Sequence, residues 1–157
     1  MKHTEAISLE IFKIISQASQ QLQIESYVIG GYVRDFFLKR GIAKDIDIVA
    51  IGSGIDLAEQ VASLLPNKPK VQIFKTYGTA MLRYKDVEIE FVGARKESYS
   101  EESRNPEVSE GTLEDDQNRR DFTINALALS LSEANFGELL DPFNGIVDLE
   151  NGILRTP

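Results

Sequence analysis

The chain has 157 residues, 42% hydrophobic and 27% charged, which is enough for one domain with a real core. It has no cysteine and a single histidine, so disulfides, thiolate catalysis and cysteine-held metals are excluded and imidazole chemistry has little to draw on. A formal charge of −8 argues against a broad phosphate-binding surface but permits a small local one.

No apolar run reaches the ~18 residues that a membrane span needs. The opening stretch MKHTEAISLEIFKII carries Glu5 and Glu10 and does not read as a signal peptide, so a cytoplasmic chain is expected. His3, the lone imidazole, is expected in a frayed terminus. Any metal would be a hard cation on carboxylates, Mg²⁺ first and Mn²⁺ next.

In chain order, Ile7, Ile11, Ile14, Ile15, Ala18 and Leu22 recur at helical spacing and predict a helix over 5–22, with Thr4 as its N-cap. SYVIG (26–30) predicts a short buried strand. YVRDFFLKR (32–40) predicts a helix with Val33, Phe36 and Phe37 on one face. DIDIVA (45–50) alternates and predicts a strand. GSG (52–54) marks a turn, and a helix runs from near Asp56 to just before Pro66. Strands are expected at 71–74, 79–84 and 87–92, the last two joined by a turn at 84–86. Residues 96–118 are polar and aperiodic, which predicts a mobile loop. DFTINALALSL (121–131) predicts a helix, and the remainder a turn-rich tail with a short strand near Ile153. The sum is α+β: a mixed sheet covered by helices on one face, in a single domain.

Four clusters carry chemistry. In a strand, Asp45 and Asp47 project to one face about 7 Å apart while Ile46 and Ile48 point to the core. An isolated D-x-D is usually a solvated strand face. In GGYVRD, the pair Gly30 and Gly31 at a strand-to-helix corner allows close backbone approach to an anion, and Arg34 could add a phosphate contact. The corner is neither G-x-G-x-x-G nor G-K-[ST]. Glu88 and Glu90 share another strand face, and either could supply a third carboxylate, with Glu88 the better candidate for a solvated one. In RRDFTIN, Asp121 and Asn125 lie four apart and would share a helix face just after Arg119 and Arg120. Taken together, an anion corner, a D-x-D, a third acid and paired arginines suit two-metal nucleotidyl transfer, which needs no histidine.

With GGYVRDFFL, KDIDIV, YGTA, EFVGAR, RRDFTINALAL and DPFNGIVDLENGILRT in this order, the chain resembles the N-terminal head domain of class II tRNA nucleotidyltransferases, the CCA-adding enzymes, and of bacterial poly(A) polymerases. The resemblance runs from about Ile24 to Pro157 and implies a DNA-polymerase-β-like nucleotidyltransferase fold. It also implies that Asp45 and Asp47 hold the metal ions (two Mg²⁺), with Glu90 as the third acid. Gly31, Arg34 and Arg120 would contact the incoming triphosphate, and Asp121 and Asn125 would help to orient it. Asp35 reads as support for the corner. CTP, ATP and the tRNA 3′ end are the implied partners. The implied reaction is CCA addition, with poly(A) synthesis, addition of C or A alone, or a catalytically silent RNA- or nucleotide-binding module as alternatives.

The family continues beyond this point into a neck whose E-D-x-x-R motif reads the base, followed by a body and tail that grip tRNA. These are absent here, and the 157 residues are expected to be a fragment. EDDQNR (114–119) precedes RRDFT and is not that base reader.

Overall fold

A computed structural model describes residues 2–41, 44–98 and 107–157. A 3₁₀ turn at Thr4–Ile7 precedes α1 (Glu10–Leu22), and an extended Leu9 separates the two, so the expected single helix is broken. Thr4 does not cap it; His3 holds that position without a side-chain bond. The terminus is nevertheless tied down. The His3 amide donates to the Gly137 carbonyl at 2.7 Å, and its ring meets Phe37 edge-on at 5.0 Å.

The elements that follow are β1 (Glu25–Ile29), α2 (Gly31–Phe37), β2 (Asp45–Ile51), α3 (Gly54–Leu64) and β3 (Gln72–Phe74). A 3₁₀ turn at Lys75–Tyr77 leads into β4 (Thr79–Tyr84), β5 (Val87–Gly93), β6 (Arg95–Ser98) and β7 (Glu107–Glu110). The chain ends with α4 (Leu113–Asn118), a 3₁₀ turn at Thr123–Asn125, β8 (Ala128–Ser130), β9 (Leu139–Leu140) and α5 (Gly145–Glu150). Seven strands form one sheet in the order β3-β4-β5-β2-β1-β8-β9, while β6 and β7 pair separately. The β2–β5 pair is parallel and the other pairs are antiparallel, so the sheet is mixed.

One sheet face carries the main core. Ile11, Phe12 and Ile15 of α1 and Leu57, Ala58 and Val61 of α3 pack with Val28, Ile46, Ile48, Ile89, Phe91 and Leu129 of the sheet. Here α3 begins directly on the end of β5. A Cβ on Gly93 would stand 2.6 Å from the Gly52 carbonyl oxygen, so a side chain has no room at that contact. The opposite face is apolar only in part, where Tyr27, Ile29, Val49 and Ala128 gather with Leu113 of α4.

This division fixes the register of β2. Ile46 and Ile48 are fully buried, each worth about 2 kcal/mol. A slip by one residue would expose both and drive Asp45 and Asp47 into the core. The two carboxylates are therefore held on the outer face by the isoleucines between them.

Three expectations are corrected. First, residues 96–118 are not one aperiodic loop. Strands β6 and β7 occupy part of the stretch, and α4 begins at a capping box in which Thr112 and Asp115 bond each other's backbone N–H. Positions 99–106, where the rest of that expectation falls, lie outside the described residues. Second, 121–131 is a 3₁₀ turn followed by β8, because Ala128–Ser130 finds a better partner in β1 than in its own helix. Third, the tail forms α5, and Ile153 belongs to no strand.

Candidate active site

Cross-strand partners share a sheet face, so the register alone assembles the acidic patch. Asp45 is opposite Glu88 and Asp47 opposite Glu90 in the parallel β2–β5 pair. Glu88 is drawn off by Arg83 of β4, an exposed ion pair at 3.6 Å. This leaves Asp45, Asp47 and Glu90 together on the outer face, Asp47 and Glu90 lining the cleft there.

At the end of β1 the chain must turn sharply into α2. Gly30 does this with φ +84°, a conformation that disfavours any side chain. A Cβ there would lie 3.4 Å from Asp47 Oδ2 and 3.7 Å from Arg120 Nη1, so the corner backs directly onto the acids and their neighbouring guanidinium. Arg34 folds over Gly31, Nη2 lying 3.3 Å from where a Cβ would stand. Two partners hold it there. Nε donates to Asp35 Oδ1 at 3.0 Å and Nη1 donates to Asn125 Oδ1 at 2.8 Å. Asp35 thus has the supporting position expected of it.

Asn125 also donates from Nδ2 to Asp121 Oδ1 at 2.9 Å. The two residues meet across a 3₁₀ turn, and the helix face expected to carry them does not form. That bond from Asn125 is the main reason the Asp121 carboxyl sits below the usual carboxylate range, with the Phe122 amide helping. The turn is fixed from behind by the C-terminal tail. Thr123 Oγ1 donates to the buried Asp148 Oδ2 at 2.6 Å, Arg155 Nε reaches the same oxygen at 3.4 Å, and the Thr123 amide donates to the Arg155 carbonyl at 2.8 Å.

Asp116 is the residue that sequence reasoning missed. It is wholly buried, and both its oxygens are taken by arginines. Arg119 Nη2 donates to Oδ1 at 3.0 Å, and Arg120 donates to Oδ2 through Nε at 3.1 Å and Nη2 at 2.9 Å. Beside it, buried Gln117 donates to the carbonyls of Ala126 at 2.8 Å and Leu140 at 3.1 Å, pinning α4 to the sheet. The T-x-x-D cap at Thr112 was the signal that a helix, and not a loop, delivers these arginines.

Asp47, Glu90, Arg95, Arg119 and Arg120 line one open cleft of about 530 Å³, with Phe74, Tyr77, Thr79, Met81 and Val92. Burial raises the Asp47 carboxyl above its ordinary pKa. Arg120 opposes this, while Glu90, Asp45 and Asp116 push in the same direction as burial. Such crowding of acids is the electrostatic setting a divalent cation relieves, and all the donors are oxygens. Among the described residues, no three His, Cys, Asp or Glu side chains already converge as a metal centre. Likewise, among the described residues no helix is long and apolar enough to cross a membrane.

Residues 26–155 match the sequence profile described as the Poly A polymerase head domain. An A-adding tRNA nucleotidyltransferase of Aquifex aeolicus is 37% identical over 85% of this chain and 16% of its own length. A CC-adding tRNA nucleotidyltransferase of Deinococcus radiodurans is 42% identical over 83% of this chain and 34% of its own. Among solved structures, an apo form of a CCA-adding enzyme superposes with a TM-score of 0.85 at 33% identity, covering 99% of this chain and 38% of that one. A tRNA nucleotidyltransferase complexed with a primer tRNA and an incoming ATP analog gives 0.78 at 34% identity, over 90% and 38%. The fold is thus the DNA-polymerase-β-like nucleotidyltransferase fold, and the chain spans between 16% and 38% of the length of these relatives.

Proposed function

Since the chain belongs to the poly(A) polymerase head-domain family, we propose that its cleft transfers a nucleoside monophosphate from a nucleoside triphosphate to an RNA 3′-hydroxyl. In the intact protein the acceptor would be the tRNA 3′ end and the donors CTP or ATP, as the names of the relatives suggest. The observation that supports this best is the register that sets Asp45, Asp47 and Glu90 on one face against the Gly30–Arg120 corner.

The residues divide by role. The Gly31 backbone, Arg34 and Arg120 take the triphosphate, with Gly30 keeping the corner free of a side chain. Asn125 aims Arg34, and Asp121 aims Asn125. Asp116 holds Arg120 by two bonds to one oxygen, fixing the guanidinium before the phosphates arrive. Asp45 and Asp47, with Glu90 beside them, would hold Mg²⁺ or Mn²⁺, two ions in the reading favoured here. When bound, such ions activate the attacking hydroxyl and neutralise the charge of the leaving pyrophosphate. In the transfer, the 3′-hydroxyl gives its proton to solvent water, its oxygen bonds to the α-phosphorus, the bond from that phosphorus to the α–β bridging oxygen breaks, and pyrophosphate leaves toward the arginines.

Incorporation of labelled CMP or AMP into a tRNA transcript lacking its terminal CCA tests this reading. The intact protein should extend the transcript only with a divalent cation. Asp45→Ala should nearly abolish extension while leaving the circular dichroism spectrum unchanged. Near-normal turnover in Asp45→Ala would refute the assignment, and binding without any transfer would favour a silent nucleotide-binding module.

A further inference from the structure

The cleft has two flanks of opposite character. On one stand Gly30, Gly31, Arg34 and Arg120. On the other are two large rings that the reading above leaves without a task. Phe74 ends β3 and is 45% exposed; Tyr77, in the turn after it, is 65% exposed. Both line the same cleft as Asp47 and Glu90.

Their position follows from the sheet. Phe74 is opposite Thr79, Thr79 opposite Val92, and Val92 opposite Val49, so Phe74 shares the outer face that carries Asp45, Asp47 and Glu90. It lies two strand spacings, about 10 Å, from the strand that bears Glu90. The turn carrying Tyr77 is braced from within the cleft, since Arg95 Nη1 donates to the Tyr77 carbonyl at 3.5 Å. The buried Nε of Arg95 has no partner among the described residues. Phe74 also forms one wall of an adjoining groove of about 620 Å³ lined by the Arg83–Glu88 ion pair, with Lys70 as the cation outside that pair.

Phosphoryl transfer runs in line, with attacking and leaving oxygens on opposite sides of the phosphorus. If pyrophosphate departs toward Arg34 and Arg120, the 3′-hydroxyl must arrive from the opposite side, where the rings stand. Exposed aromatics beside a positively charged path are how proteins hold single-stranded RNA without reading its sequence, one base face on one ring. We propose that Phe74 and Tyr77 form a stacking platform for the terminal bases of the acceptor RNA, with the strand continuing past Phe74 toward Lys70. This inference rests on the transfer reading for its direction. The nucleoside triphosphate's own base is the competing occupant, and the nucleotide KM separates the two.

The test uses a tRNA transcript ending in 2-aminopurine, whose fluorescence is quenched on stacking against a ring. The unsubstituted protein should quench it, and Tyr77→Ala should lose most of the quenching. The same variant should raise KM for RNA about tenfold, the loss expected for one base-stacking contact, while KM for CTP and ATP stays within about twofold, with Tyr77→Phe retaining both properties. Tyr77 is largely exposed, and an unchanged melting temperature would confirm that the variant folds. Full quenching in Tyr77→Ala and Phe74→Ala, or a rise in the nucleotide KM with the RNA KM unmoved, would overturn the platform. Absence of incorporation by the intact protein would count instead against the transfer reading, since quenching lost in Tyr77→Ala is read without turnover.

Discussion

At the scale of single residues, Asp47 sits at the junction of everything the cleft contains: Glu90 across the strand, Asp45 two positions back, Gly30 behind and Arg120 beside. Its folded pKa is raised, so the folded protein binds more protons than the unfolded chain in the window that opens at the ordinary carboxylate value of about 3.9. Stability therefore falls as pH rises through that window, and above it the ionised carboxylate is a standing cost. Asp47→Asn should accordingly raise the melting temperature at pH 7 in chelator, lose that gain below about pH 4, and lose nucleotide incorporation at every pH. A melting temperature lowered equally at both pH values would show that Asp47 is a structural anchor. Asp116 is the opposite case, a buried charge fully paired. Asp116→Asn keeps the shape but gives up the ion pairs to Arg119 and Arg120, and should cost about 2 kcal/mol in urea unfolding. It should also raise KM for every nucleoside triphosphate, because Arg120 is no longer held. An unchanged KM would mean that Arg120 finds its place without Asp116.

At the scale of elements, what was legible in the sequence was whatever a short period decides. The alternation in DIDIVA gave the strand, the faces of Asp45 and Asp47 and the burial of Ile46 and Ile48 without help from elsewhere in the chain. The run NALALSL could not be settled this way, since a short apolar stretch suits a buried helix or a buried strand equally, and pairing with β1, about a hundred positions earlier, decides for the strand. The acidic run at 113–118 was read past because charge resembles loop, although its capping box was present in the letters. The tail DPFNGIVDLENGILRT gave no hint that it clamps the 3₁₀ turn bearing Asn125. That clamp is testable. Thr123→Val removes the hydroxyl donor to buried Asp148 and should cost about 1–3 kcal/mol. By loosening Asn125 and hence Arg34, it should also weaken triphosphate binding, followed by titration of ATP. Loss of stability with ATP affinity unchanged would confine the clamp to folding.

At the scale of the whole molecule, a chain of net charge −8 concentrates four guanidinium groups, Arg34, Arg95, Arg119 and Arg120, around one acidic cleft. On the function proposed above, it serves as a local device for phosphates. The groups proposed for nucleotide binding (Gly31, Arg34 and Arg120, with cations on Asp45 and Asp47) address only what all four nucleoside triphosphates share. Discrimination between bases requires hydrogen-bonding groups aimed at a base edge, and a site without them separates bases poorly. These 157 residues would therefore grip phosphate and leave the base unread. Isothermal titration of ATP, CTP, GTP and UTP into this chain, with and without Mg²⁺, tests it most directly. The account predicts weak, Mg²⁺-dependent binding of all four within about 1 kcal/mol of each other, roughly fivefold in affinity, and equal weakening of all four by Arg34→Ala. A clear preference for CTP and ATP over GTP and UTP would contradict it and place base recognition within the head itself.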